Sequence, residues 1–443
     1  MMGRPWAIIV AVGLCAAPQA QGGTLTLHRI DASPAPISVR AAPEGSPASG
    51  YVLSLSGGAL RAIEPDGTLR PTAALAGITD PGGERLGNVW DIAFAPDHAT
   101  SGKAYLSFTV FTGDGSERRF NHVVAEVTRD AGDPSRFDPA SLRRILTVPH
   151  TDARPGGAHF GGAIDFGPDG MLYVTTGDSW LSRSAPPTGA QNVSQDPTDP
   201  RGAVLRIDPR SDAFPDDPLQ NYALPGDNPD FGPDADPALW AIGLRNPFKA
   251  RWDLETARLF IADVGEDGWE EVNLGLAGAN YGWPAWEGPD ELAPGELAPL
   301  GTLTGPLYAY SHDLSSVFGG KSITGGEVYR GPLGELYGQY LFADYLGNEL
   351  GGRMWSFDAL SEPGDIRNLT AWSLEVTGGG TADRIIGMGS DAAGRFYVAD
   401  QRGGLFLVGL AAQVAVIPLP GSLGLALGGL ALLGGLGRVR RRG

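Results

Sequence analysis

One unit recurs along the chain: a turn rich in Asp and Gly, then a short apolar run opened by an aromatic residue. It appears as Tyr51-Val52-Leu53-Ser54-Leu55, as Tyr105-Leu106-Ser107-Phe108 and as Tyr173-Val174-Thr175-Thr176. It returns as Phe260-Ile261-Ala262-Asp263, Tyr340-Leu341-Phe342-Ala343-Asp344 and Phe396-Tyr397-Val398-Ala399-Asp400. Runs this short, rich in aromatic and β-branched residues and bounded by turn formers, predict strands rather than helices. Six units 54 to 87 residues apart predict an all-β, six-bladed β-propeller, with loops inserted on one face. The segment from Ser182 to Pro237, dense in Asp, Pro and Gly, is expected to be an ordered loop crossing that face.

Composition supports this picture. The chain has 443 residues with 66 Gly and 36 Pro, yet 42% of it is hydrophobic, so turns are abundant without loss of a core. The net charge is −18, only three basic residues are Lys, and the Arg cluster of the last six positions is the sole basic stripe. A nucleic-acid groove is therefore not expected.

The ends read as targeting segments. Residues 1–21 carry Arg4, an apolar run from Trp6 to Ala17 and small residues near Ala20, the pattern of a secretory signal. The one cysteine, Cys15, falls inside it, so the exported chain would fold without disulfides. Residues 413–443 hold Pro418-Leu419-Pro420, an apolar run from Leu423 to Leu436 and Arg438, Arg440, Arg441 and Arg442. That segment is long enough to span a bilayer, with the arginines left in the cytoplasm. It also resembles bacterial C-terminal sorting signals, which are removed by a protease during export. Residues 22–412 remain for one propeller domain.

Three constellations bear chemistry. His159-Phe160-Gly161-Gly162 precedes Asp178 by nineteen residues, with the Asp169-Gly170 turn between them. If His159 opens a strand and Asp178 ends its antiparallel return, the two meet at one end of the hairpin. A carboxylate there would fix the tautomer of a general base, whereas a structurally satisfied His beside a turn cap would show the same spacing. In Gly243-Leu244-Arg245-Asn246-Pro247, the arginine either belongs to a turn or holds an oxyanion in a central pocket. Between Asp263 and Glu271 stand five carboxylates, and they suit either a solvated loop or calcium.

The Arg245-Asn246-Pro247, Trp269-Glu270-Glu271-Val272-Asn273 and Asn280-Tyr281-Gly282-Trp283-Pro284 strings, with Ser322 to Gly331, resemble the glucose/sorbosone dehydrogenase family of six-bladed propellers. The resemblance implies pyrroloquinoline quinone (PQQ), calcium and oxidation of an aldose sugar or sugar aldehyde. It implies that His159 is the base, that Asp178 orients it, and that Arg245, with Asn246 beside it, lies over the quinone carbonyls. Lys321 and Arg384 would contact the cofactor. The carbonyls of Gly265 and Glu266 would hold the cofactor's Ca2+, and Glu270, Glu271 and the Tyr281 carbonyl a second, structural calcium.

The chain departs from that pattern in places. Where the family grips PQQ with two arginines, Thr381-Ala382-Asp383-Arg384 offers one. Gly87-Asn88 replaces a Gln or Glu before an apolar strand, and Glu266 replaces a proline. The expectation is an exported, PQQ- and Ca2+-dependent aldose dehydrogenase. No Cys-X-X-Cys-His haem site exists, so a separate electron acceptor is implied. The alternatives are a non-enzymatic extracellular propeller that binds glycan or protein, and a calcium-dependent propeller hydrolase.

Overall fold

A computed structural model describes residues 20–32, 35–114, 118–150, 159–180, 192–293, 300–345 and 352–411. The N-terminal signal, apart from its last residues, and the C-terminal apolar segment lie outside these. The strands group into six blades. The first comprises Pro36–Ala41, Gly50–Ser54, Leu60–Ile63 and Leu69–Leu75. The second comprises Arg85–Phe94, Lys103–Thr112, Arg119–Arg129 and Phe137–His150. The third holds Ile164–Phe166, Leu172–Thr176, Ala203–Ile207 and Leu239–Ile242. The fourth holds Pro247–Asp253, Arg258–Asp263, Trp269–Gly275 and Tyr308–Ser311. Ile323–Val328, Gln339–Asp344, Arg353–Asp358 and Thr370–Thr377 make the fifth. The sixth is built from Ile385–Ser390, Phe396–Asp400 and Gly404–Leu410.

Ala20–Asp31, from the start of the chain, completes the sixth blade by antiparallel pairing of Leu25 with Leu410 and Leu27 with Val408. The same strand runs parallel to Thr370–Thr377, so the fifth and sixth blades form one eight-stranded sheet. Ring closure of this kind leaves few open sheet edges.

Every recurring aromatic falls in the second strand of its blade, and all six are buried. They fill the space between neighbouring blades. Phe260 of the fourth blade, for instance, stacks on Tyr340 of the fifth with ring centroids 4.6 Å apart. The segment from Ser182 to Pro237 is not one loop. Ala203–Ile207, a fully buried strand, divides it into two connections at opposite ends of the third blade. The flanking Asp, Pro and Gly residues hide a strand only five residues long.

The first strand of each blade faces the axis, and each neighbours the next around the ring. Charged residues on these strands meet in the interior. Asp91 accepts hydrogen bonds from Arg251 at 2.7 and 3.1 Å, from Arg40 at 3.2 Å and from Ser38 at 2.9 Å. Burial opposes ionisation of Asp91, but Arg251, Arg40 and Lys249 outweigh it and hold its carboxyl well below the usual range. The network ties the first, second and fourth blades together across the axis.

Candidate functional site

All innermost strands run in the same direction, so the residues leading into them gather around one end of the axis. His159 lies five residues before Ile164–Phe166, and Arg245 and Asn246 immediately precede Pro247–Asp253. Lys321 comes two before Ile323–Val328, and Arg384 is adjacent to Ile385–Ser390. The fold thus brings the four basic candidates, from four blades, to one mouth.

A repeated device fixes these lead-in segments. In the fourth blade, Asp263 ends the second strand and accepts the N–H groups of Arg245 at 2.9 Å and Asn246 at 2.6 Å. In the fifth, Asp344 accepts those of Lys321 and Ser322, both at 2.8 Å. In the sixth, Asp400 accepts that of Arg384 at 2.6 Å. All three carboxylates are buried.

The third blade differs. Its second strand ends at Thr176, and Asp178, two residues beyond, accepts from the His159 imidazole Nδ1 at 2.7 Å. A carboxylate only accepts, so Nδ1 carries the proton and Nε2 keeps its lone pair. Asp178 also accepts the Trp180 N–H at 2.9 Å on Oδ1 and the Trp283 indole N–H at 2.9 Å on Oδ2. His159 does not open a strand, as the spacing suggested. It sits in a loop with φ of +54°, followed by Gly161 at +66° and Gly162 at +97°. A side chain on Gly162 would collide with Trp90, so the close approach of this loop to the second blade needs glycine. Burial pushes the pKa of His159 down, and Asp178 partly offsets this. The imidazole is therefore neutral near pH 7.

Arg245 is buried, and its guanidinium lies over the Trp283 ring at 5.5 Å. One Nη donates to the Val264 carbonyl at 2.9 Å, while Nε is buried with no hydrogen-bond partner. An orphaned cationic donor at this depth fits an anionic or carbonyl-bearing group. The Asn246 side-chain oxygen accepts the Gly161 N–H at 3.2 Å and so joins the arginine segment to the histidine loop. Lys321 is exposed. Arg384 donates to the Tyr345 hydroxyl at 3.1 Å and lies over that ring. Ala382, where the resemblance implies a second arginine, is buried.

The acidic loop is organised by a residue that sequence reasoning missed. Glu287 Oε1 accepts four successive N–H groups, from Glu266 at 2.6 Å, Asp267 at 3.0 Å, Gly268 at 3.1 Å and Trp269 at 3.3 Å. In a planar trans peptide the carbonyl points opposite to the N–H. With these N–H groups turned inward, the carbonyls of Gly265 and Glu266 face away from Glu287, a disposition that fits the cation-ligand role the resemblance implies for them. No local signal joins Glu287 to a loop twenty residues earlier.

Glu270 and Glu271 do not come together. They are consecutive in Trp269–Gly275, so their side chains leave opposite faces of the strand. Glu270 accepts from Ile323 N–H at 2.9 Å and pairs with His312 Nε2 at 2.7 Å. Burial raises its pKa to about 7. Glu271 accepts the Gly288 N–H at 2.6 Å and Asn273 at 3.0 Å, and its neighbour is Glu287. The Glu270 and Glu271 side chains, expected with the Tyr281 carbonyl on one ion, thus lie in two separate carboxylate environments. Tyr281 is buried, with its hydroxyl donating to Leu274 O at 2.5 Å. Among the described residues, no cluster of three or more His, Cys, Asp or Glu side chains is arranged to hold a metal ion.

Relatives agree with this architecture. The chain is 36% identical over 275 residues to HIPL2 protein of Arabidopsis thaliana, covering 57% of this chain and 37% of that one. It is 27% identical over 244 residues to aldose sugar dehydrogenase YliI of Escherichia coli, covering 53% and 56%. The chain thus spans little more than a third of the plant relative and just over half of the bacterial one. The crystal structure of the soluble aldose sugar dehydrogenase of Escherichia coli in its apo-form superposes with a TM-score of 0.62 at 20% identity, over 87% of this chain and 99% of that one. The family model for glucose/sorbosone dehydrogenase matches residues 35–298, well over half of the sequence, and the chain belongs to that family.

Proposed function

We propose that this propeller, residues 22–412, is an exported oxidoreductase that oxidises the C1 carbon of an aldose with PQQ and Ca2+. The observation that carries the reading is the His159–Asp178 pair beside Arg245. It supplies a neutral imidazole with a free Nε2 lone pair next to a buried, incompletely satisfied guanidinium. PQQ, when bound, supplies the two-electron acceptor, and Ca2+ at the Gly265 and Glu266 carbonyls polarises it. His159 Nε2 takes the proton of the C1 hydroxyl as the C1 hydrogen leaves with its electron pair. Asp178 holds the ring in the required tautomer and stabilises the imidazolium that results. Arg245 meets negative charge that develops opposite the base. Lys321 and Arg384 draw the cofactor's carboxylates to the mouth. A separate carrier then accepts the electrons, and residues 413–443 act as a sorting or anchoring segment.

The direct test is titration of the purified protein with PQQ and Ca2+, followed by dye reduction over a panel of aldoses. Saturable PQQ binding with aldose-dependent reduction supports the reading. A second reading, a non-enzymatic surface-binding propeller, rests on two observations. Ala382 stands at an implied arginine position, and identity to HIPL2, whose name states no activity, exceeds identity to the aldose dehydrogenase. Absence of saturable PQQ binding favours that second reading.

A further inference from the structure

Beside His159, the indole of Trp180 lies against the imidazole at a centroid distance of 5.6 Å and an interplanar angle of 23°. Trp180 is 41% exposed, one of few large hydrophobic side chains left open to solvent. Its backbone is costly. Six non-glycine residues among those described have positive φ, and three of them are His159, Ser179 at +64° and Trp180 at +60°. For a bulky residue this conformation is rare, and it persists only where surrounding contacts impose it.

Those contacts are present. Asp178 N–H donates to the Arg245 carbonyl at 2.8 Å, and Asp178 Oδ1 receives the Trp180 N–H. The Ser179 hydroxyl is 2.7 Å from Nδ1 of buried His150 and accepts from Arg201 at 2.9 Å. The turn is clamped at each residue. The clamp holds the indole against the imidazole and leaves part of the side chain open to solvent. A tryptophan whose only task was packing would be covered. Strain at functional sites commonly serves preorganisation.

We propose that Trp180 is a stacking platform for a ring-shaped substrate and selects the cyclic hemiacetal form of an aldose over small open-chain aldehydes. A pyranose has an apolar face of axial C–H groups and a hydroxyl-bearing rim. An exposed indole complements the first, while His159 Nε2 complements the second. This rests on the reading above and deepens it by naming the residue that holds the substrate ring. Trp180 touches the substrate ring and does not take part in proton transfer.

The experiment uses the full chain and its Trp180→Ala, Trp180→Leu and Trp180→Phe variants, with thermal melts to confirm folding. The probe is methyl β-D-glucopyranoside, which cannot be oxidised at C1, and binding is read by saturation-transfer NMR without cofactor. Stacking of this kind is worth up to about tenfold in affinity. Ala and Leu should therefore weaken binding by about that factor, and Phe should retain most of it. With PQQ and Ca2+ present, KM for aldopyranoses should rise similarly in Ala and Leu. KM for glycolaldehyde and kcat should change little.

Equal binding by wild type and Trp180→Leu overturns the platform. So does an equal loss for glycolaldehyde and pyranoses, which would mean that Trp180 merely supports His159. Trp180-dependent glycoside binding without any turnover leaves the platform standing and sinks the dehydrogenase reading. Turnover without detectable glycoside binding sinks the platform and keeps the dehydrogenase.

Discussion

The end of the second strand in the third blade can be set against the same place in the fourth, fifth and sixth. Three blades place an Asp there and direct it at backbone N–H groups. In the third, the Asp comes two residues late and engages an imidazole as well as the backbone N–H of Trp180. Nearly the same position, with the same residue type, holds lead-in backbone N–H groups in three repeats and a histidine side chain in one. Two residues past the strand end, the carboxylate still accepts one backbone N–H, from Trp180, but also reaches the His159 imidazole and the Trp283 indole, and positive-φ backbone at His159, Ser179 and Trp180 accompanies it. The comparison teaches that a small shift of a repeated carboxylate along the chain is enough to bring it within reach of a side chain that the other blades do not offer.

Mutations can break that comparison. The largest expected effect is on turnover. His159→Ala should lower it by about 10²–10⁴, the usual worth of a positioned base, with little change in melting temperature. A loss of less than a few-fold would remove His159 from the mechanism. Asp344→Ala and Asp400→Ala should instead act on stability. Each leaves buried N–H groups without an acceptor, and about 2–3 kcal/mol should be lost, read as a lower denaturant midpoint. If Asp178→Ala were equally destabilising and cost no activity, the distinction between the blades would collapse.

The pH dependence sharpens the same contrast. Near the mouth, His122 is buried, its Nε2 lies 2.8 Å from the Ser107 hydroxyl, and burial pushes its pKa down to about 4. An unfolded His titrates near 6.5, so between about pH 6.5 and 4 the unfolded chain binds a proton that the folded chain does not. Its contribution is therefore full above pH 6.5 and is lost as pH falls toward 4, on the order of 2–3 kcal/mol. Unfolding at pH 7 and pH 4.5 should show this loss, and His122→Gln should reduce it. His159 is also depressed, but Asp178 holds it up. Asp178→Asn should therefore move the acid limb of the rate profile to lower pH, and an unmoved limb would show that the carboxylate does not govern the base. The smallest effect belongs to the acidic loop. Glu287→Gln keeps an acceptor but loses its charge, which should cost about 1 kcal/mol of stability and weaken Ca2+ retention. Unchanged Ca2+ retention would separate the loop's shape from Glu287.

Much of this was legible in the chain. The six aromatic-led runs are second strands because burial between blades selects aromatics there, and their count gives the ring. The approach of His159 and Asp178 followed from a hairpin turn, although His159 stands in a loop rather than on the strand. Glu270 and Glu271 are expected on one ion while their segment reads as an acidic loop, and it is the strand Trp269–Gly275 that sends their side chains to opposite faces. Other features had no local mark. Ala203–Ile207 was masked by its flanks, and the hold of Glu287 on the acidic loop depends on chain folded back from far away. Arg40, Asp91 and Arg251 have the composition of surface charges, and only the ring's closure puts them inside.

That closure depends on the strand Ala20–Asp31, whose residues Leu25 to Arg29 pair with Leu410 to Phe406. Contacts between the first and last described strands are among the most distant in sequence that a chain can make, and such contacts form late because the loop they close carries a large entropy cost. The sixth blade cannot gain its outer strand until the final blade has been synthesised. A ribosome-bound or partly translocated chain would hold the first five blades as an open arc with unpaired edges. Completion of the mouth, where Arg384 of the sixth blade joins the residues of the third, fourth and fifth, thus needs the last blade in place. An incomplete chain would have no assembled site.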